Sequence, residues 1–179
     1  TEKFCLTHEQ RMETMAQMFK AYQPDFIGLQ EVYGGTVIND KETINMQQTL
    51  LNYLTKNYQY VTFKGVALTA QWTPILYRAD QWRVVESAIQ KSTVCSCDMH
   101  RWQWALFENI ANPEYKVIVL NIHAPHNGDD HADAKEPFFY EVNQQILALE
   151  AKYADVPIML TGDYNTNPDV IDEALGYNL

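Results

Sequence analysis

The sequence predicts an α/β (α+β) fold in which two sheets pack on each other and helices cover the outside. Apolar residues recur at helical spacing in three stretches, residues 8–23, 43–57 and 139–153. Between these stretches run short β-branched and aromatic segments, several arranged as candidate hairpins. Helices interleaved with hairpin strands bury their apolar faces when sheet packs on sheet and helices lie outside. An apolar share of 46% and a charged share of 20% over 179 residues suit one globular domain with a sizeable core.

Taken in order, Met12, Met15, Ala16, Phe19 and Tyr22 form the stripe of a first helix. Thr7 with Gln10 three residues on is a capping-box pattern. Pro24-Asp25 ends that helix ahead of the apolar run Phe26-Ile27-Gly28-Leu29. A second helix is expected over residues 43–57, burying Ile44, Leu50, Leu51 and Leu54. Residues 58–63, 74–78 and 81–88 read as strands, the last two closing as a hairpin on Ala79-Asp80. Residues 102–108 and 115–120 form another pair around Asn112-Pro113. Phe139, Val142, Ile146, Leu149 and Tyr153 stripe a third helix. A buried strand over residues 156–161 follows, and Pro168 with Asp169 and Asp172 suits the first turn of a short final helix. No repeats, low-complexity tracts or linkers divide the chain, so residues 1–179 read as a single domain.

Three of the strands end in chemistry. Leu29-Gln30-Glu31-Val32, Asn121-Ile122-His123-Ala124-Pro125-His126 and Gly162-Asp163-Tyr164-Asn165 each follow an apolar run. Residues two apart on a strand share a face, so Asn121 is expected beside His123 and Asp163 beside Asn165. Gly162 permits a close approach to the backbone there. A carboxylate, an imidazole and an Asp/Asn pair delivered to one sheet edge are the groups that metal-assisted phosphoester hydrolysis needs.

In these three motifs, Gln-Glu, Asn-x-His and Gly-Asp-x-Asn in that order, the chain resembles the endonuclease/exonuclease/phosphatase superfamily over roughly residues 11–168. That superfamily includes pancreatic-type deoxyribonucleases, apurinic endonucleases, sphingomyelinases, deadenylases and inositol polyphosphate 5-phosphatases. The resemblance implies a four-layer αββα sandwich of two mixed, mostly antiparallel sheets flanked by helices. It also implies a hydrolase acting on phosphate esters, with Mg²⁺ or Mn²⁺ as cofactor. Glu31 would be the metal ligand, since hard cations prefer carboxylate oxygen. His123, Asp163 and Asn165 would be catalytic. His123 would face the scissile phosphate, Asp163 would orient and help deprotonate water, and Asn165 would hold a phosphate oxygen. Asn121, Arg101 and His126 are further candidates for substrate contact. Arg101 is offset by one residue from the family's arginine, and such an offset changes the face of a strand.

The family begins with a strand ending in Asn and finishes with an Asp and a catalytic His. This sequence starts directly before the first helix, and no residue after Asp163 is a histidine. The chain therefore reads as an internal piece of a larger domain, truncated at both ends and by itself close to inactive. The rival reading is a non-enzymatic or inactive binding module that retains the fold.

A net charge of −10 opposes nonspecific polyanion binding, although a divalent cation supplies local positive charge. The substrate class stays open among nucleic acid, phospholipid head group and sugar phosphate. No apolar run approaches the ~20 residues that span a bilayer, and nothing marks an obligate protein partner. No signal peptide is visible, and the compartment is left open. Cys95-Ser-Cys97 with His100 reads as two reduced thiols rather than a zinc half-site, because the spacing is wrong and no second pair follows. The four tryptophans read as core filler, and Arg78 as a packed, snorkelled cation.

Overall fold

A computed structural model describes residues 6–32, 36–38, 42–67, 72–94, 101–125 and 134–166. In chain order the elements are α1 (His8–Tyr22), β1 (Phe26–Gly28), β2 (Thr36–Ile38), β3 (Glu42–Ile44), α2 (Met46–Tyr53) and β4 (Tyr58–Tyr60). They continue with β5 (Ile75–Arg78), β6 (Trp82–Lys91), β7 (Arg101–Asn109), β8 (Lys116–His123), α3 (Lys135–Lys152) and β9 (Ile158–Asp163). One sheet has the order β1-β5-β4, all antiparallel. The other runs β6-β7-β8-β9, antiparallel except for the parallel pair β8–β9. The β2–β3 pair forms a separate hairpin.

Three apolar clusters fill the spaces between four layers. Met12, Ala16, Phe19 and Leu50 of α1 and α2 pack on Ile27, Tyr58, Tyr60 and Leu76 of the first sheet. Ile75 and Tyr77 meet Trp82, Ala105, Phe107, Val117 and Val119 between the sheets. Trp102, Trp104, Ile118, Leu120 and Ile122 meet Phe138, Phe139, Val142, Ile146 and Leu149 of α3 on the far side. Strand alternation produces this division: Leu76 turns to the helices while Ile75 and Tyr77 turn to the other sheet. The result is the αββα sandwich, and Trp82, Trp102 and Trp104 are core residues within it.

Local signals set several ends. Thr7 and Gln10 form the capping box that starts α1, and Gln23 in the left-handed region ends it. The second helix begins three residues later than the periodicity predicts. Thr43 and Ile44 belong to β3, and Asn45 caps α2 by accepting from the Gln48 amide at 2.8 Å. The expected hairpin on Ala79-Asp80 does not form. β5 already has β1 and β4 on its two edges, so no edge is left for β6. The chain crosses to the other sheet instead, through a turn in which the Gln81 amide bonds to the Arg78 carbonyl at 3.1 Å. Among the described residues β9 is an edge strand: Met159 is exposed, and Ile158 and Leu160 are only half-buried, not buried as expected. Arg78 pairs with Asp80 at 3.0 Å and lies 3.8 Å from Asp25. The expected final helix at Pro168, and Cys5, Cys95, Cys97 and His100, lie outside the described residues.

Candidate active site

The ends of β1, β8 and β9 lie together, and the side chain that gathers them is Asn121. It is fully buried on the inter-sheet face of β8. Its Nδ2 donates to the carbonyls of Leu29 and Thr73, both at 3.0 Å, which fixes the exits of β1 and the entry of β5. Its Oδ1 accepts from Gln30 Nε2 at 2.7 Å and from Thr161 Oγ1 at 3.0 Å, which ties in β9 and the residue before Glu31. Gly28 leaves the room for this knot. A Cβ there would stand 2.4 Å from both Asn121 Oδ1 and Thr161 Oγ1. Asn121 was a candidate substrate contact from sequence; its burial and internal bonds make it a brace instead. Gln30 takes part in the brace through its bond to Asn121.

Beyond the brace the strands deliver their polar groups. Glu31 sits in the left-handed region at φ 57°, with its carboxylate two-thirds exposed. His123 is nearly buried, and its Nε2 stands 4.0 Å from Glu31 Oε1. In the parallel β8–β9 register His123 is paired with Asp163, so the two side chains are neighbours on one face. His123 thus stands between Glu31, across a gap of 4.0 Å, and Asp163, its neighbour on the adjoining strand.

Asn165 departs from the strand logic. β9 ends at Asp163, and Asn165 lies past it at φ 50° in the left-handed region. It therefore does not share a strand face with Asp163 by alternation. The Asn165 amide donates to Asp163 Oδ1 at 3.0 Å, forming an Asx turn, and its Nδ2 donates to the Ala124 carbonyl at 2.8 Å. The Ala124 amide in turn donates to the Asp163 carbonyl at 2.9 Å. Gly162, at φ 152°, admits the β8 backbone, since a Cβ would meet the Ile122 carbonyl oxygen at 2.3 Å. Tyr164 stacks on Phe139 of α3, and burial pushes its hydroxyl pKa up.

Arg101 opens β7, one position before the Trp102–Ile122 pair and therefore level with His123. Alternation puts it on the face of Gln103 and Ala105, the inter-sheet side. His126 lies outside the described residues.

Lys135 is a residue that sequence reading missed. It is buried at the start of α3, and its Nζ donates to the Asn165 carbonyl. The available signal was a lysine in a helical first turn, where the macrodipole disfavours a cation.

Among the described residues no group of three or more His, Cys, Asp and Glu stands close enough to hold a metal ion. The exposed Glu31 carboxylate nevertheless fits Mg²⁺ or Mn²⁺ chemistry. Mg²⁺ keeps several waters and binds through one or two carboxylates together with substrate phosphate.

The sequence matches no model of a known family and no curated protein. Solved structures do match. The mannosyl-6-phosphatase Bt3783 of Bacteroides thetaiotaomicron VPI-5482 superposes with a TM-score of 0.72 at 19% identity, over 94% of this chain and 61% of its own. The endonuclease/exonuclease/phosphatase from Bacteroides vulgatus gives 0.70 at 22% identity, over 94% and 62%. The chain has the endonuclease/exonuclease/phosphatase fold. The human Nocturnin catalytic domain with a bound sulfate anion shares it too, with a TM-score of 0.68 at 17% identity over 96% of this chain and 63% of that one. The chain spans less than two thirds of the length of each. Within the endonuclease/exonuclease/phosphatase fold, Asn121 binds β8 to β9 and to the segment that leads from β1 to Glu31.

Proposed function

We propose that the protein is a Mg²⁺- or Mn²⁺-dependent phosphoesterase that hydrolyses a phosphate ester by in-line attack of water. The observation that carries this reading is the placement of His123 next to both Glu31 and Asp163, which come from positions far apart in sequence. When bound, the divalent cation supplies positive charge against the phosphate oxygens. Glu31 would hold it, having an exposed carboxylate on a strained, pre-set turn. Asp163 orients the attacking water and accepts its proton; the Asx turn fixes its Oδ1. His123 donates a hydrogen bond to the phosphoryl oxygen through an imidazole N–H. Asn165 uses one amide hydrogen on the Ala124 carbonyl and keeps the other for a phosphate oxygen. Because the negative surface disfavours long polyanions, a small phosphate ester or head group suits the site better than a duplex. The sugar phosphate named for one matched structure and the sulfate in another support a tetrahedral oxyanion as ligand.

The whole protein, assayed on bis-p-nitrophenyl phosphate, DNA, sphingomyelin and a sugar phosphate with and without EDTA, tests this. Turnover should require the metal and vanish in Asp163→Ala. Metal-independent turnover, or none on any phosphate ester, overturns it. A second reading, an inactive binding module, draws on the absence of a three-ligand metal cluster among the described residues. It expects Mn²⁺ binding without turnover.

A further inference from the structure

The geometry points to Lys135 as a positioning residue that clamps the turn carrying Asp163 and Asn165. The inference rests on the phosphoesterase reading for its catalytic consequence, and on packing alone for the clamp. Lys135 is only 8% exposed, and no carboxylate among the described residues pairs with it. Burying an ammonium is costly unless its hydrogen bonds are met. Here the acceptor is the Asn165 carbonyl, thirty residues away in sequence. The position also works against its own helix. The N-cap of α3 is Ala134, which offers no side-chain cap, and a cation in the first turn opposes the macrodipole. A lysine there therefore serves something other than the helix.

What it serves is a strained segment. Asn165 holds a left-handed backbone at φ 50°, a region that disfavours L-residues, Asn less than most. Three hydrogen bonds keep it there: its amide to Asp163 Oδ1, its Nδ2 to the Ala124 carbonyl, and Lys135 to its own carbonyl. The first of these sets the Asp163 carboxylate. The second ties the turn to β8 just after His123. Lys135 gives the turn its hydrogen bond to α3, beside the stacking of Tyr164 on Phe139. Glu141 of the same helix also grips Ser92 Oγ at 2.7 Å and the Thr93 amide at 3.1 Å after β6. One helix thereby fastens two segments at this end of the sheet.

Amide hydrogen exchange on the whole protein tests the clamp, comparing wild type with Lys135→Met and Lys135→Arg. In Lys135→Met the Asn165 and Ala124 amides should exchange about tenfold faster or more, with Ile118 and Leu120 unchanged. Lys135→Arg should restore most of the protection. Kinetics on the best phosphate ester should show kcat falling about ten- to a hundredfold in Lys135→Met at unchanged KM and Mn²⁺ affinity. Unchanged exchange at Asn165 overturns the clamp. Faster exchange with kcat unaltered, in an enzyme that Asp163→Ala silences, overturns the positioning role. A wild type without turnover sinks the phosphoesterase reading but not the clamp, which the exchange rates decide by themselves. If Lys135→Met exposes the β8 amides as well, Lys135→Gln replaces it under the same criteria.

Discussion

Replacing Asn121 by leucine should destabilise the fold by about 4 kcal/mol, taking each of its four short hydrogen bonds at about 1 kcal/mol net. The four are the bonds to the Leu29 and Thr73 carbonyls and those from Gln30 Nε2 and Thr161 Oγ1. Leucine has a similar size and no hydrogen-bonding group, so the change leaves these partners facing an apolar side chain between the sheets. The site is fully buried and water cannot replace what is lost without opening the sandwich. The effect should also be local to the strand ends. Leu29 and Thr73 would lose the common donor that joins β1 to the start of β5, and Gln30 would lose its only hold beside Glu31 among the bonds described. Urea unfolding of wild type and Asn121→Leu, followed by tryptophan fluorescence and circular dichroism, measures the difference. Coincident transitions would license the two-state treatment. A loss below about 1 kcal/mol would mean that the four bonds are matched by solvent, and that Asn121 does not hold the three strand ends together.

Other outcomes follow from single sites. Gly162→Ala should cost about 1–3 kcal/mol and loosen β9, because φ 152° suits glycine and the new Cβ would meet the Ile122 carbonyl oxygen; wild-type stability in urea would contradict this. Burial raises the Tyr60 hydroxyl pKa above its usual 10.0, so its contribution is whole below pH 10 and is lost as pH rises further. Tyr60→Phe should therefore flatten the alkaline fall in stability by at most about 1.4 kcal/mol per pH unit, while costing about 1 kcal/mol at neutral pH for the bond to the Gln47 carbonyl. An alkaline profile identical to wild type would refute it. Glu31→Gln should raise the half-saturating Mn²⁺ concentration about tenfold or more with the fold intact, and unchanged metal dependence of turnover would remove Glu31 from the metal site.

Periodicity carried far where one element decides its own burial. The α3 stripe of Phe139, Val142, Ile146 and Leu149 is the buried face of that helix. It misled where the outcome depended on partners. Residues 43 and 44 fit a helical stripe, yet they pair with β2 because that hairpin and the Asn45 cap compete for them. The Ala79-Asp80 turn fits a hairpin, yet β5 is enclosed by β1 and β4. At the site, the three motifs in order were readable, but the strand-face argument for Asn165 was not sound, since nothing in Gly162-Asp163-Tyr164-Asn165 marks where the strand stops.

By itself the sequence determined what arises within a few residues. The Thr7–Gln10 box sets the start of α1, and the order of the Gln-Glu, Asn-x-His and Gly-Asp-x-Asn strand ends sets which groups can meet. Only the tertiary structure decided that Asn121 is a buried brace, that Asn165 turns back onto Ala124, and that Lys135 reaches across to hold it. Those contacts join residues 92, 41 and 30 positions apart. Their geometry comes from how two sheets and a helix pack, and local propensity carries no record of distances that only closed layers create.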